Sequence, residues 1–458
     1  MLLERVDRYL EEVSRSLMAL DRQTIVAVIE QLIRVWSERR QIFLFGNGGS
    51  AALASHMAED LNKLAIPGQP RLRAISLTDS IALITAWAND TSYENVFAEQ
   101  LKNLCQPGDL VIAVSCSGNS PNVLAALKVA QALGATTVGF TGNQGGQLAE
   151  MVDVCVRAPA DFIGQQEDIH LALDHMMAAT LQAWICEVKE RRERPVRALV
   201  LAAGAGTRLR PLTADCPKPM VPIDGKPLLE HTLAWLRRHG IAEVAINLHY
   251  MPAAIMQHFG NGAHCGVDIR YSFEELPLGT AGALRPLADF LSQGTFVVVY
   301  GDVLTDIDLQ ALLAAHYGHL ARDPHTGITI SLYRVPNPTE VGLVGLGARG
   351  RVLRFVEKPR REEVFTDLAN AGIMVVEPRV IPFIPENMYY DFGQHLLPKL
   401  LESTVSIYGW EVPPSAYVLD IGTNEKYQQA QTEWPLHYQL QQKDERWAGQ
   451  ASSWIATA

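Results

Sequence analysis

Apolar residues Leu3, Val6, Leu10, Val13, Leu17 and Leu20 recur at intervals of three and four, and the helical spacing extends across 2–38. A short buried-strand run at 41–45 (QIFLF) then breaks into Gly46-Asn47-Gly48-Gly49-Ser50 and a further helical stretch. The same grammar returns: LVIAVS at 110–115 runs into CSGNSPNV, and TTVGFTG follows at 136–142. Strands alternating with helices predict a parallel sheet covered on both faces. Residues 187–197 (EVKERRERPVR) are charged and end near a proline, and read as a helix end and linker. Alternation restarts with a strand at 198–202 entering a second glycine loop, and further strands are predicted at 244–250, 267–273, 295–302 and 327–335. The pattern divides the chain into an α/β unit over 1–190, a linker over 191–197, a second α/β unit over 198–432 and an unassigned polar tail over 433–458.

Composition narrows the class. A chain of 458 residues, 48% hydrophobic, has room for two or three domains at roughly 100–200 residues each. Thirty-nine Lys and Arg against fifty Asp and Glu leave a formal charge of −11, which argues against a general nucleic-acid or anionic-membrane binder. Six cysteines lie at irregular spacing without a CxxC pair, as expected of a reduced, cytoplasmic protein. The N-terminal stretch carries charges throughout, and no apolar run reaches about 18 residues. Secreted, fibrous and membrane-spanning classes are therefore not expected.

The most specific string is LVLAAGAGTRLRPLTADCPKPMVPIDGKPLLE at 199–230. A strand delivers the chain into Ala203, Gly204, Gly206 and Thr207, small residues whose N–H groups can approach phosphate oxygens, and Arg208 adds a charged fork. Lys218, between Pro217 and Pro219, places a point charge in a stiffened turn. The loop is neither GxGxxG nor GxxxxGK[ST], which disfavours dinucleotide and Walker-type loops. The string resembles the signature of sugar-1-phosphate nucleotidylyltransferases, and the resemblance covers roughly 198–430. It implies a Rossmann-like domain that joins a nucleoside triphosphate to a sugar 1-phosphate and releases pyrophosphate. By that resemblance the loop bearing Gly279 and Thr280 receives base and ribose, and Asp302 and Asp420 hold magnesium. Glu357 and Lys358 hold the sugar hydroxyls and phosphate, with Asn370 and Gly372 lining the sugar pocket. The pairing of RLRPLT and PKPM with EELPLGTAGAL is most similar to guanylyltransferases, which points to GTP, although thymidylyl-, uridylyl- and cytidylyltransferases share the grammar. Phosphoryl transfer needs alignment and charge neutralisation more than covalent chemistry, so Arg208 and Lys218 are the expected catalytic cations.

In the first half, Gly48, Gly49 and Ser50 with Asn47 end a strand and open a helix, an anion site, and Ser115, Ser117 and Ser120 form a second such turn. GNGGSA, Asn89-Asp90 and SCSGNSPN together resemble the sugar isomerase (SIS) fold and, within it, sedoheptulose 7-phosphate isomerases. The resemblance covers roughly 1–190 and implies that the serines hold the substrate phosphate, that Asp90 lies near the sugar, and that Cys116 replaces a usual Thr. It also implies a zinc site and an acid/base pair. His56 and Asp60 lie four apart on one helical face, Asp60 standing where Glu is usual. Counting back from His175 by the family spacing selects Glu167, where Gln is usual, while helical phase favours Asp168; the ligand stays ambiguous. Asp60 as base and His175 as acid, or the reverse, would carry aldose–ketose isomerisation.

The combined expectation is a bifunctional, cytoplasmic enzyme of nucleotide-activated heptose synthesis using zinc and magnesium. It would be a homodimer or homotetramer packed through its N-terminal leucine stripe, with no nucleic-acid or membrane partner. Its rival is a mannose- or glucose-1-phosphate nucleotidylyltransferase whose first half only senses a sugar phosphate.

Overall fold

The computed structural model describes residues 1–66 and 69–437 and divides into two compact units. One comprises Met1–Glu190 with Ala321–Pro324; the other comprises Arg191–Leu320 and the chain from His325 onward. The polar tail falls mostly outside the described residues, although 424–437 is helical.

In the first unit the apolar stripe of 2–38 is carried by two helices, α1 (Leu2–Met18) and α2 (Arg22–Ser37), rather than by one long one. Asp21 breaks the run because its carboxylate accepts the Gln23 N–H at 3.0 Å and caps α2. α2 buries Ile25, Val28, Leu32 and Trp36, whereas α1 buries only Ser16 and leaves Leu3, Val6 and Leu10 exposed. The sheet comprises β1 (Ile42–Gly46), β2 (Ala74–Ser76), β3 (Leu110–Ser115), β4 (Thr136–Thr141) and β5 (Val154–Arg157), all parallel in the order β2-β1-β3-β4-β5. Every residue of β1 and β3 is buried, as strands covered on both faces require. Helices α3 (Gly49–Lys63), α4 (Ile81–Asp90), α5 (Ala98–Leu104), α6 (Pro121–Ala132), α7 (Gly146–Met151) and α8 (Ile163–Glu193) complete the unit. Because β1 and β3 are neighbours, the two small-residue loops at their carboxyl ends lie side by side.

α8 continues three residues into the stretch expected to be linker, and β6 (Arg197–Leu201) begins after Arg194-Pro195-Val196. The second unit adds a small hairpin of β7 (Pro222–Ile223) and β8 (Lys226–Pro227), then β9 (Glu243–Leu248), β10 (Asp268–Phe273), β11 (Phe296–Tyr300) and β12 (Val303–Thr305). β13 (Thr326–Arg334), β14 (Gly342–Leu346), β15 (Val352–Glu357), β16 (Leu368–Val376), β17 (Ser406–Glu411) and β18 (Val418–Asp420) follow. The main sheet runs β10-β9-β6-β11-β16-β13-β17, with β14 and β15 alongside. A Rossmann-like sheet would be parallel, but β16 runs antiparallel to both β11 and β13. The reason is local: β16 follows the β14–β15 antiparallel pair, so no crossover helix returns the chain to the same end.

A charged group is buried in this second unit. Glu377 is inaccessible, accepts from Arg191 and from Thr295 Oγ1, and faces His316 Nε2 at 3.3 Å. Burial works against its charge, but His316, Thr295 and Arg191 outweigh that effect and hold the carboxyl down at about 2.

Candidate active sites

In the first unit, Ser115 ends β3 and Ser120 precedes α6. Ser115 Oγ lies 3.1 Å from Ser120 Oγ and 3.4 Å from Ser117 Oγ, so three hydroxyls converge on one point. Gly118 permits the turn: its φ is +64°, and a Cβ there would meet the Gly145 carbonyl oxygen at 2.0 Å. Gly48 (φ +57°) starts α3 and has open space where a side chain would be. Asn47 serves differently from expectation. Its carboxamide exchanges two 2.9 Å hydrogen bonds with Asn122 and accepts from Tyr93, so it locks the loops together. Asp90, expected near the sugar, ends α4 exposed and bonded to Asn89.

A cavity of about 260 Å³ is lined by Gly49, Ser50, His56, Glu167, Asp168 and His170. His56 Nε2 and His175 Nε2 face each other at 3.0 Å, and Asp60 Oδ2 lies 3.6 Å from the first and 3.7 Å from the second. Two imidazole nitrogens on one tetrahedral zinc would stand roughly 3.3 Å apart, so these donors fit that ion. Asp174 joins them: one ligand atom from each of the four residues lies within 4.8 Å of the others. Burial, with the charge of Asp60 second, pushes the Asp174 carboxyl up to about 7. Glu167, expected as a ligand, is outside the group; its carboxylate lies over Gly49, where a Cβ would meet Oε1 at 2.2 Å. Eight residues of helix separate Glu167 from His175 by about 12 Å along the axis. Asp168 is also elsewhere, accepting from Tyr9 Oη at 2.6 Å. Asp174 could have been suspected from its place beside His175, four residues after His170.

In the second unit, a cavity of about 410 Å³ is lined by Ala203, Gly204, Lys218, Gly279, Thr280 and Asp302, among others. A second, of about 230 Å³, is lined by Arg208, Glu357, Lys358, Asn370, Gly372 and Asp420, and shares Tyr300 and Asp302 with the first. Gly206 and Thr207 line neither: Gly206 (φ +59°) turns the loop against Lys218, and Thr207 opens an exposed single turn. Arg208 faces the second cavity, so the two expected cations are divided between the cavities. Gly279 (φ +81°) passes so close to Tyr390 that a Cβ would meet its carbonyl at 2.6 Å. The Thr280 hydroxyl donates to Asp391 at 2.7 Å and accepts from Phe392 N, bonds that hold it in the wall of the first cavity. Glu357 is held above its ordinary range by burial and, less, by the charge of Asp391.

Strand pairing joins the two aspartates. β12 pairs with β18, and Ile421 N donates to the Asp302 carbonyl at 2.8 Å. Lys218 Nζ contacts Asp302 Oδ2 at 2.6 Å, and Lys426 Nζ lies 3.5 Å from Asp420. Asp420 Oδ1 is enclosed without a partner, and burial, then the charge of Asp302, raises its carboxyl. A divalent cation between them would satisfy that oxygen, and magnesium needs only one or two protein carboxylates besides phosphate and water. Asn247, His249 and Glu274 also line the first cavity. They were not singled out from the sequence; for Asn247 and His249 the signal was polar residues at the end of an apolar strand (VAINLHY).

Each of the two α/β units sets a loop of small residues beside a cluster of carboxylates, joined in the first unit by two histidines, that suits a divalent cation. The chain belongs to the nucleotidyl transferase family, whose model matches residues 197–435, and its first unit to the SIS-domain phosphoheptose isomerases, the SIS model matching residues 8–142. A probable phosphoheptose isomerase of Thermoplasma acidophilum is 37% identical over 38% of this chain and 96% of its own length. A UTP–glucose-1-phosphate uridylyltransferase of Synechocystis is 38% identical, and a mannose-1-phosphate guanylyltransferase of Mycobacterium tuberculosis is 39% identical. Each of those matches covers 51% of this chain and 62% of the relative, so the chain spans about three-fifths of their length. Among the described residues no helix is long and apolar enough to cross a membrane.

Proposed function

We propose that this chain is a bifunctional enzyme of nucleotide-activated heptose synthesis. The first unit isomerises sedoheptulose 7-phosphate to D-glycero-D-manno-heptose 7-phosphate. The second transfers GMP from GTP to D-glycero-D-manno-heptose 1-phosphate, giving GDP-heptose and pyrophosphate. The observation that carries this reading is the union, in one chain, of a phosphoheptose isomerase unit with a nucleotidyl transferase unit similar to a mannose-1-phosphate guanylyltransferase. The reactions are not consecutive: a kinase acting at C1 and a phosphatase acting at C7 must intervene.

In the isomerase, Ser115, Ser117, Ser120 and Ser50 donate to the phosphate, and Gly48 and Gly49 let it approach the start of α3. A base removes the proton from C1, the electron pair forms the C1–C2 double bond, and O2 takes a proton. Reprotonation at C2 and loss of the O1 proton then give the aldehyde. Asp60 and His175 converge on one point and, where off the metal, would exchange those protons. Zinc, when bound by His56, Asp60 and His175, supplies positive charge beside the carbonyl oxygen.

In the transferase, a sugar-phosphate oxygen attacks the α-phosphorus of the triphosphate and the bond to pyrophosphate breaks. Ala203, Gly204 and Lys218 face the triphosphate, Arg208 and Lys358 face the sugar phosphate, and Glu357 and Asn370 face its hydroxyls. Magnesium, when held by Asp302 and Asp420, neutralises charge between the two phosphates. The likeness to a mannose-1-phosphate guanylyltransferase supports guanine. The Glu274 carbonyl accepts from His249 Nδ1 at 2.9 Å, which fixes the ring against this wall of the first cavity. The Glu274 carboxylate is held by Asn247 Nδ2 at 2.8 Å and Leu278 N at 2.9 Å. The exposed apolar residues of α1 and α4 support self-association through the first unit.

The deciding experiment assays purified protein with sedoheptulose 7-phosphate, before and after chelation, and then GTP with the heptose 1-phosphate for pyrophosphate release. The reading expects aldose lost on chelation and restored by zinc. No isomerase turnover with any metal would reduce the first unit to a sugar-phosphate sensor.

A further inference from the structure

We propose that Asp174 is the fourth protein ligand of the cation site in the first unit, in place of Glu167, which is left free on the substrate side. This rests on the reading that His56, Asp60 and His175 bind zinc.

Asp174 is 1% exposed, and its Oδ2 is enclosed with no hydrogen-bond partner. A buried carboxylate without a partner is costly enough that folded proteins pair it or give it a metal. The groups around this one are the two imidazoles and the Asp60 carboxylate, with which its ligand atom shares a sphere of 4.8 Å. Asp60 cannot be the missing partner, since two carboxylates repel. A divalent cation among the four would pair Asp174, and two carboxylates with two neutral imidazoles balance its charge. Adding Glu167 would leave the site with excess negative charge. Successive positions explain the supply: Asp174 and His175 leave α8 at the same level, whereas Glu167 lies two turns earlier. There its carboxylate lines the cavity with Ser50 and Gly49, within the loop expected to hold the substrate phosphate.

The test compares full-length wild type with Asp174→Asn and Glu167→Gln. Zinc affinity is read by competition with a chromogenic chelator, and the zinc-dependent rise in Tm by thermal melts. Wild type and E167Q should bind one zinc per chain in this unit with affinities within about twofold. D174N should bind at least tenfold more weakly and show little rise in Tm, as loss of a metal ligand or its support commonly costs ten- to a hundredfold. The metal-free melt of D174N, equal to or above that of metal-free wild type, keeps a folding defect from imitating the result. Weaker binding by E167Q with D174N unchanged would overturn the assignment, as would equal loss in both or in neither. Wild type that binds no zinc at all would overturn the zinc reading itself, a result distinct from any difference between the variants.

Discussion

On the proposed reading the two units would hold phosphate in opposite ways. The first would present the hydroxyls of Ser50, Ser115, Ser117 and Ser120, whereas the second sets Lys218, Arg208 and Lys358 around two aspartates. In an isomerase the phosphate is a handle whose charge does not change, so neutral donors suffice and leave the metal to act on the carbonyl. In a nucleotidyl transfer, charge moves between phosphates, and fixed cations aimed at that charge lower the barrier. The contrast shows that a phosphate-sized glycine loop says little about reaction type until its charged neighbours are known.

Asp302→Asn sharpens this contrast most. It should lower transferase kcat/KM by about a thousandfold while leaving isomerase turnover unchanged, measured on the same preparation. Comparable loss of both activities would break the separation.

Acid should separate the units next, with changes on the order of 3 kcal/mol. His170 in the first unit is buried and donates through Nε2 to the Thr141 carbonyl at 3.0 Å. Burial lowers its pKa to about 4, the hydrogen bond to Thr141 opposing only in part. The unfolded chain therefore binds the proton first, and stability falls as pH drops from about 6.5 to 4. Glu377 in the second unit, depressed to about 2, contributes stability that is complete above about 4.5 and lost as pH falls toward 2. Asp174 of the same unit, raised to about 7, binds its proton more tightly in the folded chain and opposes this trend, so the His170 contribution is read as the difference between thermal melts of wild type and His170→Gln across pH 7 to 3. His170→Gln should flatten the upper window alone.

Gly118→Ala should cost the first unit about 2 kcal/mol, because φ of +64° strains any side chain and the new Cβ would overlap the Gly145 carbonyl. Denaturant melts check it. Ser115→Ala is the gentlest variant. It should raise KM for the ketose phosphate about tenfold, the worth of one hydrogen bond to a charged group, with little change in kcat. A loss in kcat alone would mean the serine cradle acts on the reaction rather than on binding.

Much of this was legible along the chain. The glycine and serine loops were visible because each is contiguous, and their strands announce themselves as apolar runs flanked by small residues. Asp21 was harder to see, since one capping residue splits an otherwise continuous helical stripe. The antiparallel β16 was also hidden: hydrophobic spacing marks a strand but carries no direction. Asn47 could be placed in its loop but not assigned its partner, since Asn122 lies 75 residues away.

The sequence by itself determined the two-unit division, the α/β class of each unit, both phosphate loops, and the His56/Asp60 pair, whose four-residue spacing sets one helical face. Only the tertiary structure decided which carboxylate of α8 meets that pair, how Arg208 and Lys218 divide between two cavities, and that Asn247, His249 and Glu274 share one wall. Local periodicity fixes where a side chain points on its own helix or strand. Which groups meet across elements depends on how far the chain climbs between them, as the roughly 12 Å from Glu167 to His175 shows, and on packing between segments far apart in sequence.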